Sequence, residues 1–112
     1  MRAIQVEQFG AAEQIVLREV ENPEPGAGEV LVRLSYAGLN YIDIYMRNGT
    51  YAKSHTYQTP LPMTLGMEGV GSVEAVGAGV DAPKVGQRVS WCLVRGSYAD
   101  YAVVPADRHS ST

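Results

Sequence analysis

Short segments in which apolar and polar residues alternate make up most of the 112-residue chain. In the segment 29–36, every second residue from Val30 to Tyr36 is apolar or aromatic, and Arg33 and Ser35 fall between them. A period of two predicts a strand with one face buried and the other half in water. Comparable segments predict strands over residues 2–6, 15–20, 29–36, 71–76, 87–91 and 97–104.

Glycine and proline interrupt these segments at short intervals. The chain contains 12 glycines and 6 prolines, and many of them fall in turn-like stretches at 22–28, 77–79 and 84–87. Short strands separated by such turns favour a mainly β barrel or sandwich over a helical bundle. The chain shows no internal repeat or low-complexity tract, so we expect one domain.

One segment predicts a helix instead of a strand. Asn40 is a suitable N-cap, Asp43 follows three residues later, and Gly49 can end the helix. Tyr41 and Tyr45 have the i, i+4 spacing that places two side chains on one helix face. The polar and aromatic stretch 50–62 that follows predicts a surface loop that covers a cleft.

Composition and charge exclude several classes of function. An apolar share of 46% with 19% charged residues is typical of a globular protein. The net charge of −3 and the scattered Lys and Arg residues disfavour nucleic acid as a partner. The chain has no run of about 18 apolar residues, so we expect no membrane span. The alternating N-terminus and the single cysteine, Cys92, favour a cytoplasmic location.

The most specific motif is the segment 66–77, GMEGVGSVEAVG. It resembles the signature of the medium-chain alcohol dehydrogenase superfamily. Four further segments, at 25–33, 37–43, 84–89 and 96–105, are similar to the same family and come in its order. Met67 stands where zinc-dependent members have a His, and Asn40 stands where they have the first Cys ligand. The resemblance therefore indicates the zinc-independent quinone oxidoreductases.

This resemblance implies a GroES-like, partly open β-barrel with one or two short helices over residues 1–112. In such enzymes a Rossmann domain follows, and NADPH passes electrons to a quinone or a similar small electrophile in the cleft between the domains. The dinucleotide fingerprint GxGxxG is absent, because Gly69-Val70-Gly71 is followed by Glu74 instead of a third glycine. We therefore expect a chain truncated before the Rossmann domain, inactive by itself and prone to self-association through exposed apolar surface.

The resemblance also implies five residues at the substrate or cofactor cleft: Asn40, Tyr41, Asp43, Tyr45 and Tyr51. Flat rings with a polar tip suit a quinone and a nicotinamide, and the amide of Asn40 can orient a carbonyl group. A structural role is the alternative for each residue, because Asn40 with Asp43 can form a capping box and tyrosines commonly pack at half-buried positions. We predict no catalytic acid, base or nucleophile.

Met67 and Glu68, next to the cleft motif, are interpreted as structural. We expect Met67 to fill the core or a pocket wall and Glu68 to make a buried hydrogen bond or ion pair. His55 and His109 are expected at the surface, and Cys92 is expected to be a buried, unreactive thiol. We expect no metal, since thioether and amide groups are poor zinc ligands and the four-cysteine loop of the alcohol dehydrogenases is missing.

Three alternatives stay open at this stage. The chain can be a non-enzymatic binding module with this fold, because half of the cleft is not encoded in it. A co-chaperonin shares the fold class but has a long mobile loop that this chain lacks. A zinc alcohol dehydrogenase is disfavoured by Met67 and Asn40.

Overall fold

The computed structural model describes residues 1–51 and 59–111, which form two antiparallel sheets and one α-helix. A single 3-10 turn, Ala12–Gln14, precedes the second strand. The strands are β1 (Arg2–Val6), β2 (Ile15–Glu19), β3 (Glu29–Ala37), β4 (Met63–Thr64), β5 (Glu68–Val76), β6 (Arg88–Cys92), β7 (Tyr101–Pro105) and β8 (Ser110–Ser111), and helix α1 spans Tyr41–Asn48.

The two sheets are joined but do not close into a full barrel. The smaller sheet has the order β2-β1-β4, and the larger has the order β7-β3-β5-β6-β8. A bridge between Ala3 and Ala99 connects them, together with hydrogen bonds from the Ile4 amide to the Tyr98 carbonyl and from the Asp100 amide to the Arg2 carbonyl. The predicted fold class, a mainly β and partly open barrel with one or two short helices, is confirmed, and the described residues contain one α-helix.

The core consists of two apolar clusters. The valine cluster lies on the larger sheet and comprises Val30, Val32, Val73, Val89, Trp91, Ala102 and Val104. The methionine cluster lies under helix α1 and comprises Val6, Met46, Met63, Leu65 and Met67. Met46 is the helix residue that anchors α1 to this cluster, because its side chain is only 2% exposed. Burying side chains of this size is the main source of stability in a domain.

Two predicted strand boundaries are wrong, and both errors lie where the chain passes from one sheet to the other. The strand predicted at 97–104 begins only at Tyr101, because the amide of Tyr98 donates to the Leu65 carbonyl at 3.0 Å instead of joining the larger sheet. The strand predicted at 71–76 begins earlier, at Glu68, because its first residues pair with β6. The first, second, third and fifth predicted strands agree with β1, β2, β3 and β6 to within one residue at each end.

No helix in the described part of the chain is long and apolar enough to cross a membrane.

Candidate functional site

Helix α1 begins and ends as its sequence predicts. The amide of Asn40, the residue before the helix, donates to Asp43 Oδ2 at 3.0 Å, which satisfies one of the amides that a helix start leaves without an intrahelical partner. At the other end, Gly49 has a φ of 87°, and its amide donates to the Tyr45 carbonyl. Glycine adopts this left-handed conformation without strain. These caps fix the position at which α1 meets the smaller sheet.

A groove of about 480 Å³ lies at this helix start. Its apolar walls come from α1, from the segment before it, and from two residues of the smaller sheet and the chain that follows it. Five polar side chains converge on it from two separate parts of the sequence, residues 40–47 and Tyr98. The lining residues are Ile15, Leu39, Asn40, Tyr41, Asp43, Ile44, Arg47, Leu65 and Tyr98. An apolar cleft with a few convergent polar groups is the usual form of a small-molecule site.

Asp43 and Tyr98 are hydrogen-bonded in this groove. The Tyr98 hydroxyl donates to Asp43 Oδ2 at 2.5 Å, although the two residues are 55 positions apart. Asp43 is only 8% exposed, and its second oxygen, Oδ1, has no hydrogen-bond partner among the described residues. Burial raises the pKa of Tyr98 well above its usual value, and the hydrogen bond to Asp43 and its negative charge raise it further. The Tyr98 phenol therefore stays protonated and remains a donor.

The backbone places the Tyr98 ring in a fixed position. Its amide donates to the Leu65 carbonyl, and its carbonyl accepts from the Ile4 amide at 2.8 Å. Gly66 has a φ of 98°, and a Cβ at this position would lie only 2.6 Å from Tyr98 Cδ1. Only glycine allows the ring to pack this closely against the chain.

Arg47 is a positive group at the groove, held by the loop after β1. Its Nε donates to the Gly10 carbonyl at 3.2 Å, and the Gly10 amide donates to the Arg47 carbonyl at 3.0 Å. Among the described residues, no carboxylate forms an ion pair with Arg47. Because these bonds use Nε and the backbone, the terminal nitrogens of the guanidinium remain available as donors.

The structure brings together three of the five residues predicted at the cleft, namely Asn40, Tyr41 and Asp43. Tyr45 and Tyr51 do not line the groove; their rings contact each other edge to face, with centroids 6.0 Å apart and planes at 84°. Tyr51 packs against the methionine cluster, whereas Tyr45 is 42% exposed. Most of the loop predicted at 50–62, with His55, lies outside the described residues. A functional role for these five residues stays a prediction.

The two residues interpreted as structural differ in their surroundings. Met67 is buried at 5% exposure in the methionine cluster. The expectation of a buried Glu68 carboxylate is wrong, because Glu68 is exposed. Its side chain lies so close to Gly38 that a Cβ there would be 2.8 Å from the carboxylate carbon. Strand β5 alternates, so the side chain next to buried Met67 faces outward.

Glu68 lines a second cavity, which we call the edge pocket. It has a volume of about 610 Å³ and lies along β5, β6 and the chain leading into β8. The expectation that Cys92 is buried is also wrong: Cys92 is exposed here, opposite Glu68 in the pairing of β5 with β6. His109 is half-buried, and its Nδ1 donates to the Ala106 carbonyl at 2.6 Å. The edge pocket is lined by Glu68, Gly69, Val70, Ser90, Trp91, Cys92, Leu93, Arg108, His109 and Ser110.

Six of the nine residues that line the groove were not predicted from the sequence. Arg47 lies four residues after Asp43 on the same helix, so helical spacing alone indicates it as a neighbour. The sequence analysis included Tyr98 only within the segment 96–105, because no local sequence pattern connects it with Asp43. Ile15 and Leu65 come from the smaller sheet and the chain that follows it, and they carried no signal. The described residues contain no cluster of three or more His, Cys, Asp or Glu side chains that would hold a metal ion.

The fold and the groove define the class of this protein as a mainly β domain with an apolar groove at the start of its helix. A family model described as "Alcohol dehydrogenase GroES-like domain" matches residues 26–111. The chain belongs to this family.

Its relatives in sequence and structure include quinone oxidoreductases of the medium-chain dehydrogenase superfamily. The quinone oxidoreductase of Lama guanicoe is 41% identical over 105 residues, which are 92% of this chain and 31% of that protein. A probable quinone oxidoreductase of Schizosaccharomyces pombe is 40% identical over 103 residues, covering 91% of this chain and 30% of that protein.

The structural comparison agrees with the sequence comparison. The crystal structure of Escherichia coli quinone oxidoreductase complexed with NADPH superposes with a TM-score of 0.89 at 30% identity, covering 99% of this chain and 33% of that one. The chain therefore spans about a third of the length of the relatives it matches.

Proposed function

We propose that this chain is the substrate-cleft domain of an NADPH-dependent quinone oxidoreductase that works without zinc. The observation that carries the proposal is the groove at α1, where Asn40, Tyr41 and Asp43 of the family-like helix segment meet apolar walls. Relatives that are named quinone oxidoreductases support the substrate class. The substrate site of the intact enzyme would be completed by a second domain.

The donor chemistry of this chain supports a reaction without zinc. Met67 is buried in an apolar cluster and offers a thioether, and Asn40 offers a neutral amide. Zinc in such sites is bound by thiolate, imidazole or carboxylate ligands. The residues present therefore do not fit a catalytic zinc ion, and we assign no step to a metal.

The groove suits a planar quinone ring. Leu39 and Tyr41 are 83% and 78% exposed, so their side chains are available to cover the faces of a bound ring and to displace water from it. The amide of Asn40 and the guanidinium of Arg47 are donors that can orient quinone carbonyl oxygens. Orientation of this kind lowers a barrier without any group of the protein reacting.

The residues present fit the nicotinamide end of NADPH and not its pyrophosphate. The groove offers apolar walls with a few polar side chains, whereas the sequence has no glycine-rich turn that opens a helix. NADPH supplies the hydride when it is bound. The 112-residue chain by itself is therefore expected to show no turnover, and NADPH oxidation at the background rate is its expected result with a quinone.

A chimaera tests the proposal. The chain would replace the matching N-terminal region of Escherichia coli quinone oxidoreductase, and quinone-dependent NADPH oxidation would be measured with and without a chelator. We expect activity that the chelator leaves unchanged. In the same chimaera, Ile44→Glu in the groove wall should lower kcat/KM for the quinone at least about tenfold. Val76→Glu is the matched control, because Val76 is 38% exposed against 39% for Ile44 and lines neither pocket.

Two outcomes would contradict the proposal. A folded chimaera without quinone reduction would show that the groove does not complete the site. Equal losses in the two glutamate variants would show that the groove wall has no special role.

The proposal also covers the partners of the chain and its location in the cell. The side chains of Leu17, Leu39 and Tyr41 are exposed. We therefore propose that the isolated chain self-associates through exposed apolar surface, which sedimentation would detect. We propose a cytoplasmic protein without a nucleic-acid partner, on the basis of its acidic charge and single cysteine.

A further inference from the structure

Arg47 is the charged residue of the groove whose polar atoms a ligand can reach. Its Nε donates to the Gly10 carbonyl at 3.2 Å, whereas its terminal nitrogens make no hydrogen bond or ion pair with a described residue. The residue is half-buried, yet none of the enclosed, unpartnered side-chain atoms of the described residues belongs to it. The terminal nitrogens therefore have accessible surface and unused N–H donors.

The second charged side chain of the groove does not neutralise Arg47. Asp43 lies four residues earlier on α1, a spacing at which a carboxylate and a guanidinium commonly pair. No ion pair joins these two side chains among the described residues. Asp43 Oδ2 accepts instead from the Asn40 amide and the Tyr98 hydroxyl, and Oδ1 is enclosed. The carboxylate is thus occupied within the fold, and the guanidinium is left without a partner of opposite charge.

The polar groups of the groove are spread along the helix. Asn40 precedes α1 and Arg47 lies near its end, so their Cα atoms are about 10 Å apart along the helix axis. Ile44 lies between them on the helix, and Ile15 and Leu65 line the same groove. A single ring is shorter than this span. A ligand of fused rings with a polar group at each end matches it.

We propose that the groove selects a fused-ring quinone that carries an acidic group, and that the terminal nitrogens of Arg47 bind this group. The inference rests on the proposed function and deepens it by naming the substrate class. A planar guanidinium matches the paired oxygens of a carboxylate or sulfonate, and such charge-assisted hydrogen bonds are about twice as strong as neutral ones. A phosphate of NADPH offers the same anionic chemistry, and the test separates the two sources.

Two matched pairs of probes are titrated into the 112-residue chain and followed by NMR chemical shifts. Anthraquinone-2-sulfonate and anthraquinone-2-sulfonamide share three fused rings and differ by one charge; nicotinamide mononucleotide and nicotinamide riboside differ by the phosphate. We expect the sulfonate to bind about tenfold more tightly than the sulfonamide, with saturable shifts at Ile44 and Leu65 of the groove. The affinities within the second pair should differ less than about twofold.

The variant Arg47→Met assigns the preference to one side chain. It keeps an unbranched apolar stem and removes the charge, so the affinity ratio of the first pair should fall about tenfold while the dispersion of the NMR spectrum is retained. Arg33→Met is the matched control, because it also removes one positive charge, and Arg33 is exposed and does not line the groove. Its ratio should equal that of the wild type. In the wild-type protein, the Arg47 Nε–H resonance should shift with the sulfonate more than with the sulfonamide.

The outcomes are distinguishable. Equal affinities for the two anthraquinones, with saturable shifts at the groove, would overturn the inference and leave the proposed function intact, and this measurement needs no variant to fold. A preference that Arg47→Met leaves unchanged, or that Arg33→Met abolishes as well, would overturn the role of Arg47, as would equal shifts of its Nε–H resonance. A preference in the nucleotide pair, alone or beside the first, would overturn the assignment to the substrate. Absence of binding by both anthraquinones would overturn the inference together with the proposed function.

Discussion

The groove at α1 and the edge pocket differ most in how their polar groups are held. The edge pocket is the larger, at about 610 Å³ against about 480 Å³. In the groove, Asp43 and Tyr98 are bonded to each other, and Arg47 is bonded to Gly10. In the edge pocket, the charged side chains of Glu68 and Arg108 are exposed and make no ion pair among the described residues. Volume is therefore a weaker indicator of a site than polar groups fixed by the fold.

The two regions also draw on the sequence differently. The edge pocket consists mainly of residues that are neighbours in strand pairing, such as Glu68 and Cys92. The groove joins residues from β2, α1, the chain after β4 and the segment that leads to β7. A site assembled from distant segments depends on the whole fold, so mutations that loosen the fold should affect the groove first. The predictions below test this difference, from the largest expected effect to the smallest.

The largest effect is expected for Gly66→Ala, which lies under Tyr98. A Cβ here would lie 2.6 Å from Tyr98 Cδ1 and 2.8 Å from the Tyr98 amide nitrogen, at a φ of 98°. We expect the free energy of unfolding to fall by about 4 kcal/mol, from backbone strain and overpacking together. Gly86→Ala is the control, because its φ is 90° but nothing lies within 4 Å; it should lose about 1 kcal/mol. Urea denaturation measures both, and equal losses would contradict tight packing of Tyr98.

Met46→Ala should loosen the groove and spare the edge pocket. Met46 is 2% exposed and fastens α1 to the methionine cluster. Its truncation should cost about 3 kcal/mol of stability. Native-state hydrogen exchange would locate the effect: amides of α1 should exchange faster relative to those of β6. Uniform acceleration across both regions would show that α1 does not open separately.

Tyr98→Phe should produce a smaller loss with a distinctive pH dependence. At neutral pH we expect about 1 kcal/mol, the net value of one hydrogen bond. The raised pKa of Tyr98 means that its contribution is present below about pH 10 and is lost as pH rises further, because the phenol ionises first in the unfolded chain. The variant should lack this part of the decline. Unfolding free energies measured from about pH 8 to pH 11 test it, and identical pH slopes would contradict the bond to Asp43.

The smallest effect is expected when the Cys92 thiol of the edge pocket is labelled. Since the thiol is exposed, it should react fully with Ellman's reagent in the folded protein, and Cys92→Ser should not react. Ligand affinity at the groove should change less than about twofold after labelling, because the residues lining the two pockets do not overlap. Reaction only in urea would show that the thiol is buried. A large loss of groove affinity would show that the two regions are coupled.

The local features of the molecule could be predicted from its sequence. The caps Asn40, Asp43 and Gly49 define α1, and alternation defines β3. The resemblance to a known family implied a cleft at five residues, of which Asn40, Tyr41 and Asp43 line the groove; their functional role stays a prediction.

The remainder could not be predicted, because it depends on contacts between distant segments. Tyr98 lies 55 residues from its partner Asp43, and no sequence period connects them. Cys92 was expected to be buried because it follows Trp91, but neighbouring residues of a strand face opposite sides, and only Trp91 faces the core. The expectation that the Glu68 carboxylate is buried was wrong for the same reason.

The most direct test of the account is the location of a quinone on the folded chain. Amide and methyl chemical shifts would be followed while duroquinone is titrated into the 112-residue protein. The account predicts saturable shifts at Leu39, Ile44 and Leu65 of the groove, with Val70 and Leu93 of the edge pocket unchanged. Shifts confined to the edge pocket, or no saturable shift anywhere, would contradict the assignment of the groove as the quinone site.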